Sequence, residues 1–212
     1  MLCLTLTLAK NISDSQASDI VGQLVESLNW HPETTGGEGV GFKAINGRQV
    51  QGQLGSADET VGFILSAARS ATWGVHLAVI SNAHSQRAQN TAANHNLLEL
   101  AASVGKQALR APGGVKVVRS NGQKFVDSTV APELGPVEAA LQLLCSIERR
   151  RSDEGQAAGL MINAGKSQSQ AARTLGVSQQ AVSARLQAGY WYESRKVAYW
   201  LAVQLDHILA SE

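Results

Sequence analysis

Only two cysteines occur in the 212 residues, Cys3 and Cys145. A pair so far apart, each within an apolar pattern, excludes a disulfide-built scaffold and reads as two reduced core thiols rather than a disulfide or metal pair. Aromatics make up 5% of the chain, too few to suggest a ring-lined pocket. Prolines number four, and 18 Lys and Arg stand against 17 Asp and Glu, a composition that argues against long disorder. No apolar run approaches a membrane span, and MLCLTLTLAK lacks the basic region that precedes a secretory signal's apolar core. The expectation is a cytoplasmic protein with a full core and no membrane attachment. The five histidines, His31, His76, His84, His95 and His207, share no metal-ligand spacing. His84 and His95 fall in one polar region with Asn82, Asn90 and Asn94, which reads as solvated loop. No Gly-x-Ser-x-Gly, His-Glu-x-x-His or Cys-His context appears, so no catalytic residue, metal or cofactor is expected.

Acid is missing from one long stretch. No Asp or Glu occurs between Glu154 and Glu193, while Lys166, Arg173 and Arg185 do, so positive charge gathers there although the chain's net charge is only +1. Within it, Ser167 to Gln187 reads SQSQAARTLGVSQQAVSARLQ. Ser167 and Gln170 form a Ser-x-x-Gln capping box, Ala171 and Ala172 are small where two helices would cross, and Leu175 closes the apolar face. Gly176 supplies a left-handed turn position, Val177 plugs the turn and Ser178 caps a second helix whose buried side is Val182 and Leu186. Gly189 ends it.

This is the pattern of a helix-turn-helix over residues 167–187, and it makes double-stranded DNA the expected partner. Away from Val182 and Leu186 the second helix carries Gln180, Ser183, Ala184 and Gln187, with Gln179 at its exposed start. Amides, a hydroxyl and a methyl suit base edges, so these five are the expected base contacts. Lys166, Ser167, Gln168, Arg173, Ser178 and Arg185 are the expected phosphate contacts, which position without specifying sequence. The competing reading is an ordinary helical hairpin with Gly176 as a plain cap.

The rest divides into two halves. Leu2, Leu4, Leu6 and Leu8 alternate with Cys3, Thr5 and Thr7, a strand of period two. A helix follows from Ser15 to Trp30, then a glycine-rich turn, strands near Val40–Ile45 and Gln49–Leu54 around the Asn46-Gly47 hairpin signal, a helix over Asp58–Ser70 and a strand over Thr72–Ile80. A helix over Leu97–Leu109 and a hairpin around Ser120-Asn121-Gly122-Gln123 complete this half. The order β-α-β-β-α-β, then α-β-β, predicts an α+β fold that opens in the ferredoxin-like arrangement, with helices on one face of the sheet. Residues 1–130 are read as one domain and 136–212 as an all-helical one, with the boundary in VDSTVAPELGP. In the second, Ala139, Ala140, Leu143, Leu144 and Ile147 form a stripe, as do Val197, Trp200, Leu201, Leu205, Ile208 and Leu209 of the last helix. That final helix takes the place of a winged module's hairpin. Trp191, Tyr199 and Trp200 exceed the needs of a small helical core, so a homodimer through this helix and Pro136–Ile147 is expected, with packing inside its own domain as the alternative.

Two glycine motifs carry no phosphate site. Gly165-Lys166-Ser167 has Leu160 where a phosphate loop needs glycine, and Gly36–Gly41 precedes a strand rather than a helix.

The run GKSQSQAARTLGVSQQAVSARLQAGYW is similar to the C-terminal run of the SatD family, in which a degenerate nucleotidyl-cyclase-like domain precedes a helix-turn-helix. It also resembles region four of sigma factors. The N-terminal half resembles the cyclase-like domain through its element order, Phe42–Leu54 and Trp73–Ala78. The resemblance implies a cyclase-like α/β sandwich, but Arg48 and Gln49 follow Gly47 where acids would be expected. Ala9-Lys10-Asn11 ends the first strand without an Asp, so cyclase chemistry is not expected. The expected function is sequence-specific DNA binding and transcription regulation, with the first half a sensor or partner domain that retains a small-molecule or nucleotide effector site. The alternatives are a nucleotide- or small-ligand-binding protein with secondary DNA binding, and a non-DNA interaction module.

Overall fold

The computed structural model describes residues 1–29, 41–70, 72–80, 99, 101–103, 105–120 and 124–210. It is a mixed α+β structure built on a six-stranded sheet. The first half of the chain gives β1 (Leu2–Leu8), α1 (Asp14–Asn29), β2 (Lys43–Asn46), β3 (Gln49–Leu54), α2 (Ala57–Arg69) and β4 (Trp73–Val79). A helical stretch within 99–108 leads to β5 (Val115–Ser120) and β6 (Phe125–Val126). The remainder is helical: α3 (Leu134–Arg150), α4 (Asp153–Asn163), α5 (Gln168–Leu175), α6 (Gln179–Ala188) and α7 (Trp191–Ala210). The glycine-rich turn before Gly41, residues 121–123 of the second hairpin, and His31, His84, His95, Asn82, Asn90 and Asn94 lie outside the described residues.

Strand order is β2-β3-β1-β4-β5-β6. β1 is antiparallel to both β3 and β4, β2 is antiparallel to β3, and β5 is parallel to β4. Period two places Leu2, Leu4, Leu6 and Leu8 of β1 on one face with Val75, Leu77 and Val79 of β4 and Val115 and Val117 of β5, where α1 and α2 cover them. The opposite face is also closed, which differs from the expected one-sided sheet. Cys3, Ala78, Ile80 and Val118 pack there with Ala101 of the helical stretch, and Gln49 Nε2 donates to the Ala102 carbonyl at 2.9 Å. Leu-rich alternation leaves the odd positions of β1 as Cys and Thr, short enough for a helix of small residues to lie against them. Both cysteines are buried thiols, and burial pushes each up to about 12.

The largest departure concerns α3 and α7. Leu134, Val137, Leu141, Leu144 and Cys145 of α3, with Leu201, Ala202 and Leu205 of α7, belong to the same core as the sheet and α2. A separate, smaller core joins Ala158 of α4, Ala171 and Ala172 of α5, Val182 and Leu186 of α6, and Trp191. The expected stripe of α3 is therefore turned: Leu143 is 60% exposed and Ala139 lies on the outer side. The helix has apolar residues on two faces, and β5, α2 and α7 select the one holding Val137, Leu141 and Leu144. The helix starts at Leu134, which makes Pro136 its third residue. No helix among the described residues is long and apolar enough to cross a membrane.

Candidate nucleic-acid interface

The motif stretch forms two short helices whose ends are closed by the side chains that pattern required. Ser167 Oγ accepts from the Gln170 amide at 3.2 Å, and Gln170 Oε1 accepts in turn from the Ser167 amide at 2.8 Å. Four amides at a helix start have no partner within the helix, and this reciprocal pair satisfies two polar groups at once. α5 ends at Gly176, whose φ of 67° is left-handed, a conformation in which a Cβ would crowd the following carbonyl. The Val177 amide returns to the Ala172 carbonyl at 3.0 Å. Ser178 Oγ then accepts from the Ala181 amide at 3.1 Å and starts α6.

Val182 and Leu186, at 0% and 1% exposure, hold α6 on the core beneath. Gln180, Ala184 and Gln187, spaced i, i+4 and i+7, share the opposite side and are all exposed. Ser183 borders them, partly buried. Gln179 is exposed, but its Oε1 accepts from Ser169 Oγ at 2.9 Å, so one amide of the expected set is tied back to α5. Among the expected phosphate contacts, Ser167 and Ser178 are engaged as caps. Lys166 Nζ donates to Thr174 Oγ1 at 3.3 Å, and Gln168 Nε2 donates to the Tyr192 hydroxyl at 3.3 Å. Arg173 is exposed on α5. Arg185 is half-buried, and its charge reaches Glu154. That carboxyl is held below its usual range first by the backbone amide at the α4 start, then by the Ser152 hydroxyl, and last by Arg185.

No family model, curated protein or solved structure matches this chain. The geometry alone carries the functional reading.

Sequence reasoning missed the residues that hold this unit in place. Trp191, expected at a dimer surface, is 2% exposed, and the guanidinium groups of Arg151 and Arg195 lie over its ring, 4.7 and 4.8 Å from the centroid. Its only signal was position, two residues after the glycine that ends α6. In the first half, Arg48 stands where the cyclase-like pattern has an acid. Its guanidinium donates to the Ala9 carbonyl at 3.1 Å, to the Ile12 carbonyl, and to Asp14 at 2.6 Å. A fixed cation thus occupies the end of β1. A cleft of about 370 Å³ opens elsewhere, between the start of α3 and the end of α7, lined by Arg119, Glu133, Trp200 and His207 among others.

Proposed function

We propose that this chain is a sequence-specific DNA-binding protein acting in transcription regulation, with α5 and α6 as its helix-turn-helix and α6 as the reading helix. The observation that carries the proposal is α6 itself. One side is locked into a core by Val182 and Leu186, while the other presents Gln180, Ala184 and Gln187 to solvent in a stretch without a carboxylate. Amide side chains on a rigid, acid-free helix are what bidentate reading of adenine in the major groove needs. Arg173 is the phosphate contact this geometry favours; Gln179 takes a lesser role because its amide is engaged by Ser169, and Arg185 because it is half-buried.

In the same reading the first half is a ferredoxin-like sheet of the degenerate cyclase kind. The order β2-β3-β1-β4 with every neighbour antiparallel supports it. The Arg48 guanidinium at the end of β1 supports a sensor or partner role over two-metal chemistry. The functional unit is a homodimer, since one reading helix covers one half-site. Its surface is formed by the large side chains that α3 and α7 leave outside the core, Leu143, Tyr199 and Trp200.

The test is selection of bound sequences from random DNA with the purified chain, followed by titration of the selected sequence at rising salt. A palindromic consensus and a steep loss of affinity with salt are expected. Absence of binding to any DNA at low salt overturns the proposal. Sedimentation showing a monomer at every concentration, with and without paired half-sites, overturns the dimer alone.

A further inference from the structure

The two cores meet at a buried group of ions. Arg151, the residue after α3, has a side chain with 0% exposure. Its Nε and Nη2 donate to the Gly189 carbonyl at 3.2 and 3.1 Å, its Nη2 to Ser194 Oγ at 3.1 Å and its Nη1 to Gln156 Oε1 at 3.2 Å. Nη1 also donates to one oxygen of Glu148, whose other oxygen accepts from Arg195 Nη2 at 3.1 Å. Two cations face one carboxylate, and the excess charge meets the ring of Trp191 and the carbonyl end of α6. Both are electron-rich surfaces that favour a cation.

Gly189 is the residue that ends α6. The guanidinium therefore grips the reading helix by its C-terminus. The next residue, Tyr190, holds a φ of 48°, a left-handed conformation that a tyrosine keeps only when its surroundings impose it. On its other side Arg151 is continuous with α3, which is rooted in the sheet's core. Arg69 of α2 adds a second attachment, to Asp153 at 2.6 Å and to the Arg151 carbonyl at 3.4 Å. The route from sheet to reading helix is thus a short chain of directional bonds. The smaller core contributes apolar packing, which has no preferred direction.

We propose that Arg151 is a positioning residue that fixes the pose of α6 relative to the sheet-bearing body, so that α2 and α3 decide how Gln180, Ala184 and Gln187 meet a base edge. The consequence for base reading rests on the DNA-binding proposal; the fixed pose does not. Loss of Arg151 alone leaves the buried Glu148 carboxylate with only the partly exposed Arg195 opposite it, so the informative variant is Arg151→Met with Glu148→Gln. Arg151→Lys is the conservative companion, keeping the charge without the planar fork that spans Gly189 and Ser194.

The experiment places spin labels on the full chain at Ser66→Cys of α2 and Ala188→Cys of α6, both exposed positions, while the native thiols stay buried. The parent is expected to give one narrow distance distribution, and both variants a broadened one at unchanged helical circular dichroism. A distribution as narrow as the parent's in either folded variant overturns the proposal. Should the double variant lose its helical signal, Arg151→Lys decides. On DNA, the variants are expected to lose about tenfold in preference for the selected sequence, the size of one lost base contact, while binding mixed DNA almost as before. A parent that binds no DNA overturns the functional reading and leaves the distance result to judge the joint.

Discussion

His76 shows how one residue carries a pH dependence. Its ring is wholly buried on β4, and neither nitrogen has a hydrogen-bond partner among the described residues. Across the strands it faces Thr5 of β1 and Lys116 of β5. The Thr5 hydroxyl already accepts from Gln51 Nε2 at 2.9 Å, and the Lys116 ammonium lies against Glu138 and Asp127. Burial first, and then the Lys116 charge, pull the imidazole down from 6.5 to about 4. An unfolded chain takes up a proton as pH falls through 6.5 while the folded chain resists until about 4. The fold is therefore fully supported above that window and loses about 3 kcal/mol across it, at 1.36 kcal/mol per pKa unit. His76→Leu is expected to flatten this part of the acid limb, which urea unfolding of both proteins at pH 7 and pH 4.5 would measure; equal losses in the two would remove the assignment. The proposed role of α6 makes a second prediction at this scale. Gln180→Ala should relax preference at one base pair by about 1 to 3 kcal/mol, and Arg173→Ala should weaken all sequences alike and shallow the salt slope by about one. Uniform loss in both variants would mean that α6 is turned differently on DNA.

At the scale of elements, local chemistry explains what the sequence made legible. The α5 and α6 ends were readable because a cap is a contact between residues three apart, and Ser167, Gln170, Gly176 and Ser178 each do in the structure what their side chains permit. Ser178→Ala is expected to cost about 1 kcal/mol in thermal or chemical unfolding, the usual value of such a cap. The face that a helix buries was less legible. α3 carries apolar residues on two sides, and only the neighbours α2, β5 and α7 decide that Leu141 goes in and Leu143 stays out. Packing against Trp191 was hidden for the same reason. Gly159 looks like an ordinary helical glycine, yet a Cβ there would lie 2.2 Å from the indole ring. Gly159→Ala is thus expected to destabilise by about 1 to 3 kcal/mol or more, as overpacking does, although alanine is the better helix former by up to about 1 kcal/mol. A variant more stable than the parent would show that Trp191 lies elsewhere. The exposed face of α6 was legible as spacing, while the buried grip on the far end of that helix joins Arg151 to Gly189, 38 positions apart, and no local pattern announces that.

Across the whole molecule, the question is which parts stand alone. A boundary between residues 130 and 136 divides the chain by composition, but the core of the sheet continues through it. Val137, Leu141, Leu144, Leu201 and Leu205 are all at 2% exposure or less, and they pack with the sheet and α2 rather than with α5 and α6. Burying each of these side chains is worth about 1.5 to 3 kcal/mol, and together they rival the whole stability of a domain, about 5 to 15 kcal/mol. A fragment of residues 131–210 would expose this surface along two helices at once. It is expected to bind a hydrophobic dye, to aggregate at concentrations where the full chain does not, and to show poor amide dispersion. The full chain should instead unfold in one denaturant transition, with indole fluorescence and helical circular dichroism coincident, because α3 and α7 belong to the core of the sheet while their ends frame α5 and α6. A fragment that is monomeric, well dispersed and as helical as in the parent would show that the helices do not need the sheet. In that case the Arg69 and Arg149 bonds from α2 and β4 to the α3 end would be surface attachments rather than part of one cooperative body.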